Sequence, residues 1–231
     1  IFSRSAKSGI GCKQIVGDIL NYNDFAQTLT WKPQVIIHTA WVTTHDRYGE
    51  DSSNLDYANF TIKLATSIAS ASVEHLIVLG TCAEYGSQSI ASVAGITSMN
   101  PLSLYAKQKV LAFNSTKKIL AGTNVRFSWA RVFHPYGPNQ DEKRLIPYLI
   151  NSIKSGDQVN LFDTTTILDW ITTRDIASAI SWIINNDAPI ELDIGTSFGY
   201  TNLDLLKHLE ELVGNSNQWE RLTNQVSMSK Q

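Results

Sequence analysis

The fold is indicated most clearly by His75-Leu76-Ile77-Val78-Leu79-Gly80, an apolar run that ends in glycine. Two runs of similar character flank it, Gln34-Val35-Ile36-Ile37-His38-Thr39-Ala40 before it and residues 125–132 after it. Such near-continuous runs are typical of strands that are buried on both faces of a parallel sheet. Because amphipathic stretches separate them, the pattern predicts an α/β protein built from right-handed βαβ units.

The rest of the chain continues this alternation of apolar runs and amphipathic stretches. We expect helices over residues 22–30, 51–71, 102–120, 142–155, 174–185 and 202–213. We expect further strands at residues 1–3, 14–18, 158–161, 166–171 and 190–195. The polar tail beyond Gly214 is expected to be loosely ordered.

Composition and charge exclude several classes of protein. The 231 residues are 43% apolar and 17% charged, which is the profile of a globular chain. The net charge of −2 excludes a strongly basic surface, so no nucleic-acid partner is expected. Cys12 and Cys82 make neither a disulfide framework nor a zinc site, and no metal site is expected. No stretch is long enough to span a membrane, so we expect a cytoplasmic protein without a membrane partner.

Tyr105 and Lys109 form the first constellation that suits chemistry. They lie four residues apart at the start of a predicted helix, so their side chains share one face. A nearby ammonium favours the phenolate and lowers the pKa of the phenol. The spacing therefore predicts a proton donor or acceptor that works near neutral pH.

Two further candidates follow predicted strands. Thr81 comes directly after the run 75–80, where its hydroxyl is placed to bond a substrate oxygen. His134 lies in a loop made rigid by two prolines and a glycine, as a candidate ligand or acid. Ligands of open parallel sheets bind at the carboxyl ends of the strands, so we expect the loops after Ala40, Gly80 and Val132 to surround one crevice.

Together these segments resemble the extended short-chain dehydrogenase/reductase superfamily, in its nucleotide-sugar epimerase/dehydratase/reductase branch. The resemblance extends from Ile1 to about Gly214. Tyr105–Lys109 resembles the family's Tyr-x-x-x-Lys motif, and Thr81 resembles its catalytic Ser/Thr, 24 residues before the Tyr. Residues 131–140 resemble the segment R-x-F-x-x-Y-G-P-x-Q.

The resemblance implies a fold and a division into domains. The fold is a Rossmann-type doubly wound parallel sheet with a small C-terminal substrate-binding lobe. Residues 1–132 with 158–185 would form the NAD(P)-binding domain, and residues 133–157 with 186–231 the lobe that binds the sugar nucleotide.

The resemblance also implies roles for individual residues in hydride transfer at a sugar carbon. Tyr105 would move the proton, Lys109 would lower its pKa and hold the nicotinamide ribose, and Thr81 would bond the reacting oxygen. The implied cofactor contacts are Arg4, Ser5, Asp18, Ile19, Thr39, Ala40, Trp41, Tyr105, Lys109 and Val132. The implied substrate contacts are Thr81, Glu84, His134, Arg144 and Arg174.

The expected cofactor is NADP or NAD, with a preference for NADP. Ser3-Arg4-Ser5 stands where the family's NAD-binding members carry an acidic residue, and a guanidinium suits a 2′-phosphate. Trp41 replaces a small residue of the family and is expected to crowd the site. The sequence has no Gly-rich turn of the kind that binds the pyrophosphate in this family. We therefore expect the sequence to begin at the family's second strand, without the first strand and the Gly-rich loop. We also expect the chain to bind dinucleotide poorly by itself.

Within this branch the residues favour 4-keto reduction of a nucleotide-activated sugar. Dehydratases of the family carry Asp-Glu after the catalytic Thr, whereas Cys82-Ala83 stands here, which disfavours 4,6-dehydration. The alternatives are a UDP-hexose 4-epimerase-like enzyme, a truncated chain with little cofactor binding, and a non-catalytic dinucleotide-sensing protein. Because Tyr105 and Lys109 are both retained, the last is disfavoured. A homodimer through the helices at 51–71 and 101–120 is also expected.

Overall fold

The computed structural model describes residues 1–214, except residues 7, 10, 45, 89, 90 and 162. The tail that was expected to be loosely ordered therefore lies outside the described residues. The described chain contains, in order, β1 (Phe2–Ser3), β2 (Ile15–Val16), α1 (Tyr22–Leu29), β3 (Val35–His38), α2 (Asn54–Ile68), β4 (His75–Thr81), α3 (Leu104–Leu120), β5 (Arg126–Val132), β6 (His134–Tyr136), α4 (Leu145–Ser155), β7 (Ile167–Leu168), β8 (Trp170–Thr172), α5 (Thr173–Asn185), β9 (Glu191–Ile194), β10 (Tyr200–Thr201) and α6 (Asn202–Val213). A short 3₁₀ turn, Cys82–Tyr85, follows β4. The α/β class predicted from the sequence is confirmed.

The strands predicted from the three apolar runs lie side by side in one sheet, in the order β3-β4-β5-β9. The pairs β3–β4 and β4–β5 are parallel, with Val35 opposite His75 and Gly80 opposite Arg131. Strands β1 and β2 form a separate parallel pair. Within the described residues no strand pairs with the outer edge of β3, where Ile37 is 43% exposed.

Helices α2 and α3 pack against each other, and α3 also packs on β4 and β5. Their small residues permit this, since Ala58, Ala65 and Ala112 are completely buried. Large side chains fill the space between helices and sheet, including Phe113 and Trp129 with ring centroids 5.4 Å apart. This core holds the carboxyl end of β4 and the first turn of α3 in place. The homodimer expected through these helices stays a prediction.

Two compact units divide the chain, Ile1–Val132 with Ala179–Asp193, and Phe133–Ser178 with the chain from Ile194 onward. This grouping puts residues 158–178 in the second unit and 186–193 in the first, unlike the domains expected above. Which unit binds the cofactor and which the sugar nucleotide stays a prediction. No helix in the described part of the chain is both long and apolar enough to cross a bilayer.

The second unit is held by two strand pairs and a helical core. Strands β6 and β8 are parallel, β7 and β10 are antiparallel, and α4 packs on α6. The strand expected at 158–161 is wrong, since those residues are irregular in the structure. Val159 is nevertheless buried in the apolar cluster, and the backbone N–H of Asn160 donates to the Tyr148 hydroxyl at 2.9 Å. The apolar pattern there indicated burial and not strand pairing.

Candidate active site

Thr81 ends β4 and begins the 3₁₀ turn Cys82–Tyr85. Its hydroxyl accepts the backbone N–H of Ala83 at 3.3 Å, and its own backbone N–H donates to Glu84 Oε1 at 2.9 Å. This reciprocal pair is a capping box, which satisfies two backbone groups that the turn would otherwise leave free. The Thr81 hydroxyl is therefore held at the carboxyl edge of the sheet.

Gly86 closes this turn with a φ of +68°, and a Cβ at that position would overlap the carbonyl oxygen of Asn100. We expect Gly86→Ala to lower the free energy of unfolding by more than about 2 kcal/mol, because the left-handed backbone and the overlap both cost stability. Urea unfolding measures this loss. Gly122→Ala is the control, since Gly122 has a φ of +80° and nothing within 4 Å of a Cβ. Equal losses in the two variants would contradict the role of the close approach.

Tyr105 lies in the first turn of α3, which Ser103 caps by accepting the backbone N–H of Ala106 at 3.2 Å. The backbone N–H of Tyr105 donates to the carbonyl of Gly49 at 2.8 Å. Burial raises the pKa of the Tyr105 phenol, and a hydrogen bond with the Thr81 side chain opposes that rise. The expectation of a lowered phenol pKa is therefore wrong, because burial outweighs the opposing effects. The phenol is therefore a proton donor at neutral pH.

Lys109 lies one turn further along α3 and is 4% exposed. Its Nζ donates to the Leu79 carbonyl at 2.7 Å and lies 5.9 Å from the centroid of the Tyr105 ring. Burial lowers the pKa of Lys109 to about 7, and the negative charge of Glu84 opposes this shift. The side chain therefore changes its charge near neutral pH.

Trp41 covers the Lys109 ammonium, with Nζ 3.8 Å from the ring centroid. The indole is 6% exposed and is fixed by a 2.7 Å hydrogen bond from its Nε1 to Asn54 Oδ1. It also stacks on Tyr57 and meets the edge of the Tyr105 ring. The residue that was expected to crowd the site therefore lies directly against the two helix residues of the candidate pair.

Glu84 was expected to bind substrate, and its place in the structure does not favour that role. Its side chain is 0% exposed, and its carboxylate accepts from Trp129 Nε1 at 3.0 Å and from Arg131 Nε at 2.7 Å, besides the N–H of Thr81. No free oxygen faces solvent for a ligand to reach. Glu84 supports the turn from inside the protein.

The other predicted cofactor contacts stand at or just after the carboxyl ends of β1, β2, β3 and β5. Asp18 Oδ1 accepts the backbone N–H of Leu20 at 2.9 Å, which fixes the loop after β2. Of the set, Arg4, Ser5, Asp18 and Thr39 are exposed, Ala40 is half-buried, and Ile19 and Val132 are buried. Their roles stay predictions.

Three predicted substrate contacts belong to the second unit. His134 is half-buried in β6, and burial lowers its pKa, so its imidazole is neutral at pH 7. Arg144 stands at the N-terminal end of α4, half-buried, and Arg174 is exposed in the first turn of α5. Their roles also stay predictions. The structure brings Thr81, Tyr105 and Lys109 together in the first unit.

Sequence reasoning missed partners of this site, chiefly the buried Asn54 and Trp129 and the half-buried Glu191. Arg131 carried a usable signal, because a guanidinium within an apolar strand requires a counter-charge. The register puts Arg131 opposite Gly80, one residue before Thr81, so the turn that follows is one source of a carboxylate, and β9, which carries Glu191, is the other. Asn54 gave no comparable signal.

The dinucleotide that the resemblance implies would need hydrogen-bond donors for the hydroxyls of its ribose. The ammonium of Lys109 has three N–H groups, and among the described residues only the Leu79 carbonyl takes one of them in a hydrogen bond. The remaining donors and the adjacent phenol of Tyr105 suit the hydroxyls of a ribose. Lys109 and Tyr105 therefore fit the ribose of a dinucleotide that reaches them past the indole of Trp41.

Curated proteins of two kinds are similar to this chain. A UDP-glucose 4-epimerase of Lactobacillus helveticus is 24% identical over 178 residues, 66% of this chain and 53% of the relative. A dTDP-D-glucose 4,6-dehydratase of Bos taurus is 24% identical over 220 residues, 93% of this chain and 62% of the relative. The chain thus spans about half to three fifths of the length of these relatives.

Solved structures confirm the Rossmann-type fold. A double mutant of the dTDP-glucose 4,6-dehydratase DesIV from Streptomyces venezuelae, with NAD and DAU bound, superposes with a TM-score of 0.78 at 22% identity. The match covers 90% of this chain and 66% of that one. The family model for the NAD dependent epimerase/dehydratase family matches residues 3–195. This match covers most of the sequence, and the chain accordingly belongs to the NAD dependent epimerase/dehydratase family.

Proposed function

We propose that this chain carries the catalytic residues of an NAD(P)-dependent epimerase or reductase, which acts on a nucleotide-activated sugar by hydride transfer at a sugar carbon. Reduction of a 4-keto sugar nucleotide is the reaction that we favour. The observation that carries the proposal is the meeting of Thr81, Tyr105 and Lys109 at the carboxyl end of β4. The epimerase and dehydratase relatives support the general reaction type.

The chemistry that a reduced nicotinamide supplies when bound is a hydride. Tyr105 then gives its phenolic proton to the sugar oxygen that gains the electron pair. The hydroxyl of Thr81 donates a hydrogen bond to the same oxygen, while Lys109 holds the ribose. Because burial raises the pKa of Tyr105, the phenol starts in the protonated form that a reduction uses.

Dehydration is disfavoured by the two residues that follow Thr81. Burial raises the pKa of the Cys82 thiol to about 11, so the thiol stays protonated and is a poor base. Ala83 has no ionisable group. Glu84, the next residue, is enclosed in its ion pair with Arg131. Elimination of water needs an acid and a base beside the sugar, and this turn supplies neither.

Epimerisation of a UDP-hexose at C4 is the second candidate. The Lactobacillus helveticus relative, a UDP-glucose 4-epimerase, favours it. The same three residues would serve, with Tyr105 first accepting a proton and later returning it. We rank reduction higher because Ser3-Arg4 suits the 2′-phosphate of NADP, and NADP suits a net reductase.

Both candidates are tested by assaying the protein with UDP- and dTDP-linked sugars. Loss of nicotinamide absorbance with a 4-keto sugar nucleotide and NADPH would support reduction. Interconversion of UDP-hexoses with no net change in absorbance would support epimerisation. Release of water to form a 4-keto-6-deoxy product would contradict the assignment of the turn after Thr81.

Arg4 is the residue that we expect to select NADP over NAD. It is exposed just beyond β1, where its guanidinium suits a 2′-phosphate. Arg4→Glu is expected to lower the ratio of NADPH to NADH affinity by about tenfold or more, because a carboxylate repels the phosphate. Calorimetric titration with each dinucleotide measures the two Kd values. Lys118→Glu on α3 makes the same charge change at another exposed position, and an equal effect there would rule out a local role for Arg4.

A further inference from the structure

Glu84 and Arg131 form a buried ion pair that takes no direct part in the proposed chemistry. Both side chains are 0% exposed, and Arg131 Nε lies 2.7 Å from Glu84 Oε2. The same guanidinium pairs with Glu191 at 3.1 Å, and Glu191 pairs with Lys117 at 3.0 Å. Buried charges of this kind are often no more stabilising than apolar residues of the same size, so the pair calls for another explanation.

The carboxylate of Glu84 is attached to the turn that carries Thr81. It accepts the backbone N–H of Thr81 at 2.9 Å and the indole N–H of Trp129 at 3.0 Å. Each of these neighbours donates, which favours the ionised carboxylate and opposes the rise in the Glu84 pKa that burial causes. Gly80 permits this approach, since a Cβ there would lie 2.7 Å from Glu84 Oε1. The orientation of Thr81 therefore depends on Glu84.

Glu84 and Lys109 both lie beside Trp129, since Trp129 Nε1 donates to Glu84 and Lys109 Nζ lies 5.9 Å from the centroid of that ring, so the charge of Glu84 can act on Lys109. Burial lowers the pKa of Lys109, and the carboxylate of Glu84 opposes that shift. Other groups that can titrate lie around this pair: His38 on β3, Cys82 and Tyr85 in the turn, Tyr105 on α3, Arg131 on β5, and Glu191 and Asp193 on β9. Burial lowers the pKa of His38 to about 3, so its ring adds no positive charge at neutral pH.

We propose that Glu84, held in its ionised form by Arg131, is a positioning residue that orients Thr81 and favours the ammonium form of Lys109. It touches neither substrate nor cofactor, and it acts through these two groups. The part of this proposal that concerns turnover rests on the proposed function, whereas the parts that concern Thr81 and Lys109 do not.

Glu84→Gln tests the proposal, because it removes the charge and keeps the shape. NMR titration of labelled lysine is expected to show the pKa of Lys109 lower by about one unit or more. The amide of Thr81 is expected to exchange with solvent about tenfold faster. In turnover, kcat is expected to fall about tenfold with KM within about twofold, and the high-pH limb of the profile to move to lower pH.

Glu191→Gln is the matched control, since it takes a carboxylate from the same Arg131 without touching Thr81. It is expected to leave the Lys109 titration and the Thr81 exchange as in the parent protein. Equal changes in both variants would overturn the proposal, because they would report only a loosened ion pair. No change in Glu84→Gln would overturn it as well.

Glu84→Asp covers the case in which the glutamine variant fails to fold. The charge is kept and the reach is shorter, so the Lys109 titration should stay near that of the parent while the Thr81 amide exchanges faster. A fall in the Lys109 pKa as large as that expected for loss of the charge would overturn the proposal. Should the parent protein turn over no nucleotide sugar, the proposed function fails, and the two NMR measurements still decide the role of Glu84.

Discussion

Tyr105→Phe is expected to reduce turnover by at least about 100-fold while leaving the fold intact. The substitution removes one hydroxyl and keeps the ring, whose packing against Tyr48 and Trp41 does not need that oxygen. General acid catalysis typically contributes about 10²- to 10⁴-fold, so its loss has an effect of this size. The measurement is kcat with the substrate that the assays above identify, together with thermal unfolding.

Tyr22→Phe is the control for this experiment. Its hydroxyl donates to Ser67, in the same unit as Tyr105 but outside the candidate site. We expect kcat of this variant to stay within about twofold of the parent value. Activity retained in Tyr105→Phe would sink the role given to the phenol. Equal loss in both variants would point to a general defect.

Arg131→Met is expected to lower the free energy of unfolding by about 3–5 kcal/mol. The loss arises because Glu84 stays buried without its counter-charge. Urea unfolding measures it, and the double variant with Glu84→Gln should lose less than the sum of the single changes. Arg126→Met is the matched control, since Arg126 is an exposed residue of the same strand that donates to the Asn186 carbonyl. A loss within about 1 kcal/mol is expected there.

The loss in Arg131→Met should also depend on pH in a defined direction. Burial already raises the pKa of Glu84, and removing the guanidinium raises it further. A folded-state pKa above the unfolded value means that the folded protein holds the proton more tightly. The variant is therefore most stable, relative to the parent, below the unfolded pKa of a glutamate, and it loses that stability as pH rises through the folded pKa. If the difference in free energy of unfolding between the variant and the parent did not change between about pH 4 and 8, an unpaired carboxyl would be contradicted as its cause.

The six helices and the four strands of the main sheet could be predicted from the sequence, whereas β6 and β10 were not predicted. Apolar runs such as 75–80 indicate strands by their pattern alone. Because neighbouring parallel strands end at the same edge of the sheet, the residues that follow them lie close together. Spacing put Tyr105 and Lys109 on one face of α3, and the family resemblance put Thr81 beside them. In the structure Thr81 ends β4, and α3 packs on that strand.

What the sequence could not provide was the environment of the charged groups. Glu84 looks like any polar residue in a turn, and its burial depends on Arg131, 47 positions away along the chain. The direction of the Tyr105 pKa shift depends on how completely that ring is buried. No local pattern in the sequence shows the extent of that burial. The place of the Trp41 indole depends on Asn54, whose side chain holds it.

The outer edge of β3 has a practical consequence for anyone who handles this chain. Within the described residues the peptide groups on that side of Val35–His38 have no neighbouring strand, and Ile37 adds an apolar surface beside them. The unpaired peptide groups of such an edge can form hydrogen bonds with another strand. At high concentration that strand would come from a second copy of the chain. We therefore expect aggregation of the isolated chain to begin at β3, and a lysine at position 37 to raise its solubility.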